Sequence, residues 1–157
     1  MLSFSKESHI DATPLQLWRW HMAPDAFDKL VPPWQKVRVL ERPERLEDGA
    51  ILVMKVYAFG PIGVRWVAKH RDFIEGEQFV DEQLSGPFRA WVHTHQFVPA
   101  DPERPLDEGT SILRDSIEYD LPLGPLGAAL GGGIAERMLE KMFDYRHQVT
   151  AEALAGR

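Results

Sequence analysis

The chain has 157 residues, with 18 Lys and Arg against 24 Asp and Glu, and it has no cysteine. A single domain over residues 1–157 is therefore expected, without disulfides or thiolate metal sites. The net charge of −6 argues against a nucleic-acid-binding protein, because such proteins carry a basic patch. The amino terminus lacks a signal-peptide pattern and no stretch is apolar enough to span a bilayer, so a cytoplasmic protein without an integral membrane segment is expected.

The amino-terminal part of the chain predicts one strand followed by two short helices. Apolar and polar residues alternate over residues 4–10, which is typical of a strand. Thr13 followed by Pro14 forms a typical helix start, because proline suits the first position of a helix. Residues 24–30 predict a second short helix, which ends before the adjacent prolines 32 and 33.

Six further strands are predicted downstream, separated by turn signals rich in Gly, Pro and Asp. Short connections favour a meander of neighbouring antiparallel strands. The longer, proline-rich segment 99–109 is expected to be poorly ordered. The predicted strands are residues 36–41, 50–59, 64–74, 78–85, 88–98 and 110–120.

The carboxyl-terminal segment changes to a helical period. Apolar residues at steps of three or four predict one long amphipathic helix from about residue 126 to residue 154. The glycines at 131–133 predict a kink, a frayed segment or a close backbone approach. The predicted apolar stripe comprises Leu126, Leu130, Ile134, Met138, Met142, Tyr145 and Val149. This order of elements predicts an α+β helix-grip fold, in which a seven-stranded antiparallel sheet wraps around the long C-terminal helix, with two short helices after the first strand.

One face of the predicted sheet carries aromatic and polar side chains together. Because side chains alternate along a strand, four residues of strand 88–98 share a face. They are Trp91, His93, His95 and Phe97. In the last strand Asp115 and Tyr119 share the inward face, and an even register places His93 or His95 opposite Asp115. Polar residues of the preceding strand are expected to join them, namely Asp81, Gln83 and Ser85.

Four interpretations of this polar set stay open at this point. A satisfied buried network that fixes strand register is the most ordinary one. The groups can also orient a ligand, or act as a His–Asp acid–base dyad with Tyr119 donating to an oxyanion. A His-x-His pair can chelate zinc, with Asp115 or His70 as a third ligand, but the spacing alone is a weak signal. No metal and no cofactor is predicted.

Motifs along nearly the whole chain carry a family resemblance. They are residues 10–14 leading to Leu17 and Trp18, residues 66–70, residues 79–88 running into 91–97, and Gly109-Thr110 followed by Asp115 and Tyr119. These segments resemble the START-like superfamily, also called SRPBCC, and in particular a bacterial subgroup with some members fused to sugar-epimerase-like domains. The resemblance implies a cavity between sheet and long helix. Members bind lipids, sterols, polyketides or hormones, and some cyclise, dehydrate or hydrolyse them, so the fold does not decide the function.

The leading functional hypothesis is a binder of a hydrophobic or amphipathic small molecule, such as a lipid or a polyketide, because inward aromatic residues outnumber any catalytic motif. The alternative is a cyclase- or dehydratase-type enzyme that uses the His/Asp/Tyr cluster, and a protein-interaction module with a collapsed cavity comes third. No catalytic residue is assigned, and the sequence fits a monomer or a homodimer. The expected ligand-binding residues are Trp91, His93, His95, Phe97, Asp115, Tyr119, Gln83, Met138 and Met142.

Overall fold

A computed structural model of the chain describes residues 1–57 and 60–156. Within these residues, seven strands form one antiparallel sheet in the order β1-β7-β6-β5-β4-β3-β2, accompanied by three helices. The elements are β1 Leu2–Ile10, α1 Pro14–Met22, α2 Ala26–Leu30, β2 Lys36–Glu41, β3 Ile51–Tyr57, β4 Val64–Ile74, β5 Gln78–Ser85, β6 Ala90–Pro99, β7 Ser111–Asp120 and α3 Gly124–Leu154. The predicted α+β helix-grip fold is confirmed.

The strands lie close to their predicted positions because the turns between them carry strong sequence signals. The predicted end of the third strand falls at residues 58–59, which lie outside the described residues. Segment 99–109, predicted to be poorly ordered, is held at its base, where the Ala100 amide donates to the Thr110 carbonyl at 3.0 Å. Its Leu106 carbonyl accepts from the amide of Leu15 at 2.9 Å, which attaches the segment to the start of α1.

The two edges of the sheet are β1 and β2. The chain therefore brings its first strand back beside its last one, so that β1 pairs with β7 over its whole length. At the other edge, the pairing of β2 with β3 is interrupted by a register shift between Val39 and Glu41. This irregularity is a β-bulge or an equivalent break, which bends and twists an edge strand.

Helix α1 covers one end of the concave face of the sheet. It begins with a capping box, because the Thr13 hydroxyl accepts from the Gln16 amide and the Gln16 side chain accepts from the Thr13 amide. Its buried face includes Leu17, Trp18 and His21. The Trp18 ring packs edge-on against aromatic rings of the sheet, which places α1 above the strands that carry them.

Helix α3 is continuous through the three glycines, but the predicted apolar stripe is wrong over the first half of the helix. Leu126, Leu130 and Ile134 are 59%, 74% and 62% exposed. The buried side chains are Leu139, Phe143, His147, Thr150 and Leu154. Both faces of this helix carry apolar residues at helical spacing, and a shift of one position turns the buried face by about 100°. Among the described residues, no helix combines the length and hydrophobicity needed to cross a membrane.

Two apolar clusters fill the concave side, and β6 and β7 run through both. The first apolar cluster lies under α1 and contains Ile10, Leu17, Trp18, Phe79, Phe97, Leu113 and Leu154 among its buried residues. The second apolar cluster lies under the middle of α3 and contains Trp91, Ile117, Tyr119, Leu139 and Phe143. Between these clusters each strand carries polar residues, His93 and His95 in β6 and Asp115 in β7.

Candidate functional site

The register of three central strands brings two histidines and two aspartates together on the concave face. In the β6–β7 pair His95 lies opposite Asp115, which is one of the two registers predicted from the sequence. In the β5–β6 pair His93 lies opposite Asp81. Since inward residues alternate along each strand, the four side chains project from the same face. We call these residues, together with His147 of α3, the polar cluster.

The hydrogen bonds of the polar cluster run diagonally across the strands. His93 Nε2 lies 2.7 Å from Asp115 Oδ1, whereas His95 Nε2 lies 2.8 Å from Asp81 Oδ2. His93 Nδ1 lies 3.3 Å from the same Asp81 oxygen. His95 Nδ1 lies 3.0 Å from Asp115 Oδ1 but does not reach hydrogen-bond geometry, so this buried nitrogen has no hydrogen-bond partner. Each imidazole therefore lies between the same two carboxylates.

Helix α3 completes the polar cluster with His147. Its Nε2 donates to Asp115 Oδ2 at 2.7 Å, and its Nδ1 lies 2.8 Å from the Ser8 hydroxyl of β1. Asp115 thus accepts on both oxygens, from β6 on one side and from α3 on the other. The sequence analysis missed His147. The available signal was its position four residues after Phe143, on the face of α3 that proves to be buried.

Burial and charge together set the protonation of the cluster. Burial disfavours the charged imidazolium of His93, but Asp81 and Asp115 outweigh it and raise the pKa of His93 to about 9. Burial also opposes ionisation of the aspartates, yet hydrogen bonds and charges of the surrounding histidines hold the pKa values of Asp81 and Asp115 well below their usual range. At neutral pH, His93 is therefore a cation held between two carboxylates.

Two further histidines lie near the cluster in the opposite protonation state. Burial lowers the pKa of His21 to about 4, and its Nδ1–H donates to the Leu17 carbonyl at 2.9 Å. Burial also lowers the pKa of His70, whose Nδ1–H donates to the Ala50 carbonyl at 3.1 Å. Both side chains are consequently neutral imidazoles at neutral pH. From the sequence, His70 was considered only as a possible third zinc ligand, and His21 was not assigned to the site.

A cavity of about 670 Å³ opens beside the polar cluster. It lies between the sheet, the α1–α2 pair and the exposed segment 42–48, while α3 contributes only Arg146 among the described lining residues. The sequence resemblance implied a cavity between the sheet and α3, so its main cover is a different element. The apolar wall includes Trp18, Phe27, Leu52, Phe73, Phe79 and Trp91, and the buried polar side includes His21, His70, Asp81, His93, His95 and Arg146.

Arg146 is a partly buried cation at the edge of this cavity. Its Nε–H donates to the Leu30 carbonyl at 3.2 Å, and its guanidinium lies 5.1 Å from the centre of the Phe143 ring. Burial lowers the pKa of Arg146, while the charges of Asp115 and Asp81 oppose that effect. A guanidinium keeps its charge in proteins, so Arg146 adds one positive charge beside the two buried carboxylates.

The nine expected ligand-binding residues do not all reach the cavity. Trp91, His93 and His95 line it. Asp115 lies behind the histidines, Phe97 is covered by Trp18, and Tyr119 packs in the second apolar cluster. These three side chains are inward-facing as expected, but other side chains lie between them and the open space.

The remaining three expected residues lie elsewhere for identifiable reasons. The Gln83 amide donates to the Phe88 carbonyl at 2.9 Å and its oxygen accepts from the Phe88 amide, so this side chain bridges the connection between β5 and β6. Met138 is 39% exposed, and Met142 packs against the second apolar cluster. Neither methionine lines the cavity, because the observed rotation of α3 turns them away from it.

Comparisons with known proteins agree with this architecture. A family model described as polyketide cyclase / dehydrase and lipid transport matches residues 10–144. A protein of Thermus thermophilus has a similar structure at 15% identity and a TM-score of 0.71, with 98% of this chain and 97% of that chain covered. No curated protein matches the chain in sequence.

Two further solved structures show the range of proteins that share the fold. Norcoclaurine synthase from Thalictrum flavum, in complex with dopamine and hydroxybenzaldehyde, is 13% identical with a TM-score of 0.69, covering 99% of this chain and 88% of that chain. A nucleoside-diphosphate sugar epimerase from Corynebacterium glutamicum is 27% identical with a TM-score of 0.68. That match covers 95% of this chain but 28% of the epimerase chain.

Proposed function

Because the chain belongs to the polyketide cyclase / dehydrase and lipid transport family, we propose that it binds a hydrophobic or amphipathic small molecule, such as a lipid or a polyketide, in the cavity beneath α1 and α2. The observation that carries the proposal is the cavity itself. Its volume of about 670 Å³ falls within the range of roughly 300–1,000 Å³ that is common for small-molecule sites. The cytoplasmic location expected from the sequence stays a prediction.

The distribution of side chains supports an amphipathic ligand held in one orientation. Aromatic rings form much of the wall, and the polar cluster borders the buried side. Within that cluster, the side chains of Asp81 and His95 are 20% and 10% exposed, whereas that of His93 is 2% exposed. Within the polar cluster, a polar head group would therefore contact Asp81 and His95 rather than His93. Its apolar part would pack against the aromatic rings.

The exposed segment 42–48 supports an entrance on that side of the cavity. It carries charged residues, among them Arg42, Glu44 and Arg45, and most of the segment is exposed. The opposite end is closed by buried histidines. A ligand would enter past segment 42–48 and would contact the polar cluster only once it is fully inside the cavity.

The first experiment is to extract freshly purified protein with organic solvent and to identify co-purified small molecules by mass spectrometry. A lipid or polyketide near one molecule per chain supports the proposal. Binding of a fluorescent fatty acid is then compared between Ala68→Trp and Ala129→Trp. Ala68 is buried and lines the cavity, whereas Ala129 is exposed on α3 and serves as the matched control.

The expected result is loss of probe binding in Ala68→Trp, because the indole fills the cavity, with the affinity of Ala129→Trp unchanged. Circular dichroism melting shows whether each variant keeps its fold. Equal probe affinity in the two folded variants contradicts the proposal, because a ligand site elsewhere would be indifferent to a filled cavity.

Acid–base catalysis is the second candidate, and one observation favours it. The same cavity is lined by a histidine whose pKa is about 4 and by another whose pKa is about 9, His21 and His93. Environments that separate the pKa values of neighbouring groups are typical of acid–base sites. Tyr119 receives no role in this mechanism, because it does not line the cavity.

The catalytic alternative is tested with the compound identified by extraction and close carbonyl-containing relatives of it. His95→Gln removes an imidazole that lines the cavity while keeping a polar side chain. Turnover that is lost while binding is kept supports catalysis by the polar cluster. Full turnover in this variant argues against it.

A further inference from the structure

Three side chains converge at the inner wall of the cavity. Asp81, His93 and His95 each offer one ligand atom, and these atoms lie within 4.8 Å of one another. We propose that the three residues bind a divalent transition-metal ion, with Asp115 orienting the imidazole of His93 through a hydrogen bond. This proposal is independent of the organic ligand proposed above.

The distances between the donor atoms suit a metal ion. Asp81 Oδ2 lies 2.8 Å from His95 Nε2 and 3.3 Å from His93 Nδ1. With metal–ligand bonds near 2.1 Å, neighbouring ligand atoms are about 3.0 Å apart in octahedral and about 3.4 Å apart in tetrahedral coordination. The two distances that involve Asp81 are therefore close to those of a metal site, and the two histidine nitrogens lie within 4.8 Å of each other.

The second ring nitrogen of each histidine is directed to one carboxylate. His93 Nε2 is hydrogen-bonded to Asp115 Oδ1 at 2.7 Å, whereas His95 Nδ1 lies 3.0 Å from the same oxygen without hydrogen-bond geometry. Histidines that bind metals characteristically present their other nitrogen to a carboxylate, which fixes ring orientation and tautomer. His147 anchors the other oxygen of Asp115 at 2.7 Å, so that this carboxylate is itself held in place.

The ligand set indicates the class of metal. Two imidazole nitrogens and one carboxylate oxygen suit zinc, iron(II) and neighbouring first-row divalent ions, whereas calcium and magnesium prefer oxygen ligands. All three residues line the cavity. Three protein ligands with the remaining positions open to a cavity are typical of reactive metal sites, whereas structural zinc sites are closed by four protein ligands.

The sequence analysis considered a His-x-His metal pair but placed the third ligand at Asp115 or His70. In the structure Asp115 lies behind both imidazoles, and His70 Nδ1–H donates to the Ala50 carbonyl. The third ligand is Asp81 instead, because it lies opposite His93 in the β5–β6 register.

The test uses the full chain after treatment with a chelator and its removal. Zinc chloride and cobalt(II) chloride are titrated calorimetrically into the wild type, Asp81→Ala, His95→Ala and His9→Ala. His9 is an exposed imidazole on β1 outside the cluster and is the control for unspecific binding. One ion per chain is expected in the wild type and in His9→Ala, with affinity weakened at least about 100-fold in the two ligand variants. Asp115→Asn is expected to weaken affinity about 10- to 100-fold.

Wild-type measurements keep the test decisive if a ligand variant does not fold. X-ray absorption of the zinc-loaded wild type should show two imidazole ligands with the remaining ligands oxygen. Any of three results overturns the proposal: no stoichiometric ion in the wild type, undiminished affinity in a folded Asp81→Ala variant, or a zinc environment with fewer than two imidazoles. No organic ligand is present in these experiments, so their outcome is separate from that of the cavity-filling experiment.

Discussion

The polar cluster and the second apolar cluster lie side by side on the same strands and under the same helix, yet they are held together differently. In the apolar cluster, Trp91, Tyr119 and Phe143 are buried through ring packing. In the polar cluster, each side chain depends on named partners, as Asp115 does on His93 and His147. Apolar packing tolerates replacement by side chains of similar volume, whereas a buried polar network loses stability whenever one partner is missing. On the concave face, the second apolar cluster therefore tolerates substitution and stabilises the fold, whereas the polar cluster does not tolerate it and positions chemical groups.

The largest effect on stability is expected from Phe143→Ala in the second apolar cluster. Phe143 is 1% exposed, and its ring packs against Phe4 and edge-on against His93. The free energy of unfolding should fall by about 3–5 kcal/mol, measured by urea denaturation. Leu130→Ala, on the exposed half of the same helix, should change it by less than about 0.5 kcal/mol. Equal losses in the two variants would mean that the first half of α3 is covered in solution.

A pair of leucine substitutions one turn apart compares the clusters directly. His147→Leu leaves Asp115 Oδ2 and the Ser8 hydroxyl without their partner, so the free energy of unfolding should fall by about 1–3 kcal/mol. Phe143→Leu keeps an apolar side chain and should cost less than about 1.5 kcal/mol. If Phe143→Leu proves the more costly in urea denaturation, the polar cluster is the more tolerant of the two and the comparison fails.

The pH dependence of stability should come from the titratable groups in and near the polar cluster. The pKa of His93 rises from 6.5 to about 9 on folding, so its contribution is complete below about pH 6.5 and is lost as pH rises through 9. The pKa of His21 falls from 6.5 to about 4, so its neutral burial becomes costly as pH falls below 6.5. The lowered pKa values of Asp81 and Asp115 add a loss in stronger acid.

The free energy of unfolding should therefore be highest near pH 6.5 and fall at lower and higher pH. Urea unfolding of chelator-treated protein across this pH range measures it. Phe143→Leu should lower the whole profile without moving its maximum, because that ring does not titrate. A profile that rises steadily toward pH 9 would contradict the protonation assigned to His93.

Two glycines in the first half of α3 should respond to alanine with opposite signs. A Cβ at Gly133 would have open space around it, so Gly133→Ala should raise the free energy of unfolding by up to about 1 kcal/mol through helix propensity. A Cβ at Gly127 would lie 1.8 Å from the Pro122 carbonyl oxygen, so Gly127→Ala should destabilise the protein. Thermal unfolding followed by circular dichroism shows whether each variant is more or less stable than the wild type. Equal changes in the two variants would mean that the backbone at the start of α3 differs from the one described above.

The strands could be predicted from the sequence because their turns have local chemical causes. Gly76, for example, adopts a φ of 75° between β4 and β5, a conformation that glycine reaches without steric cost. The pairing of His95 with Asp115 was one of the two that alternation and an even register allowed. These features depend on residues that are close in the chain or in one hairpin, so the sequence pattern is enough to predict them.

The site's remaining features depend on how distant elements dock. The approach of His147 to Asp115 requires the rotation of α3, and Leu126 and Leu130 are as apolar as Leu139 and Phe143 at the same spacing. Periodicity alone therefore cannot choose the buried face. The position of the cavity under α1 and α2 likewise depends on tertiary packing, which explains why the expected methionines do not line it.

The register shift in β2 has a consequence for how sheets could grow from one molecule to the next. An edge strand offers unpaired backbone groups to any other chain. In β2 the ladder is interrupted between Val39 and Glu41, and Lys36 and Arg38 place cations along the strand before the interruption. A second chain approaching this edge would meet a short, irregular and charged strand, so β2 protects its own edge of the sheet against pairing with another molecule.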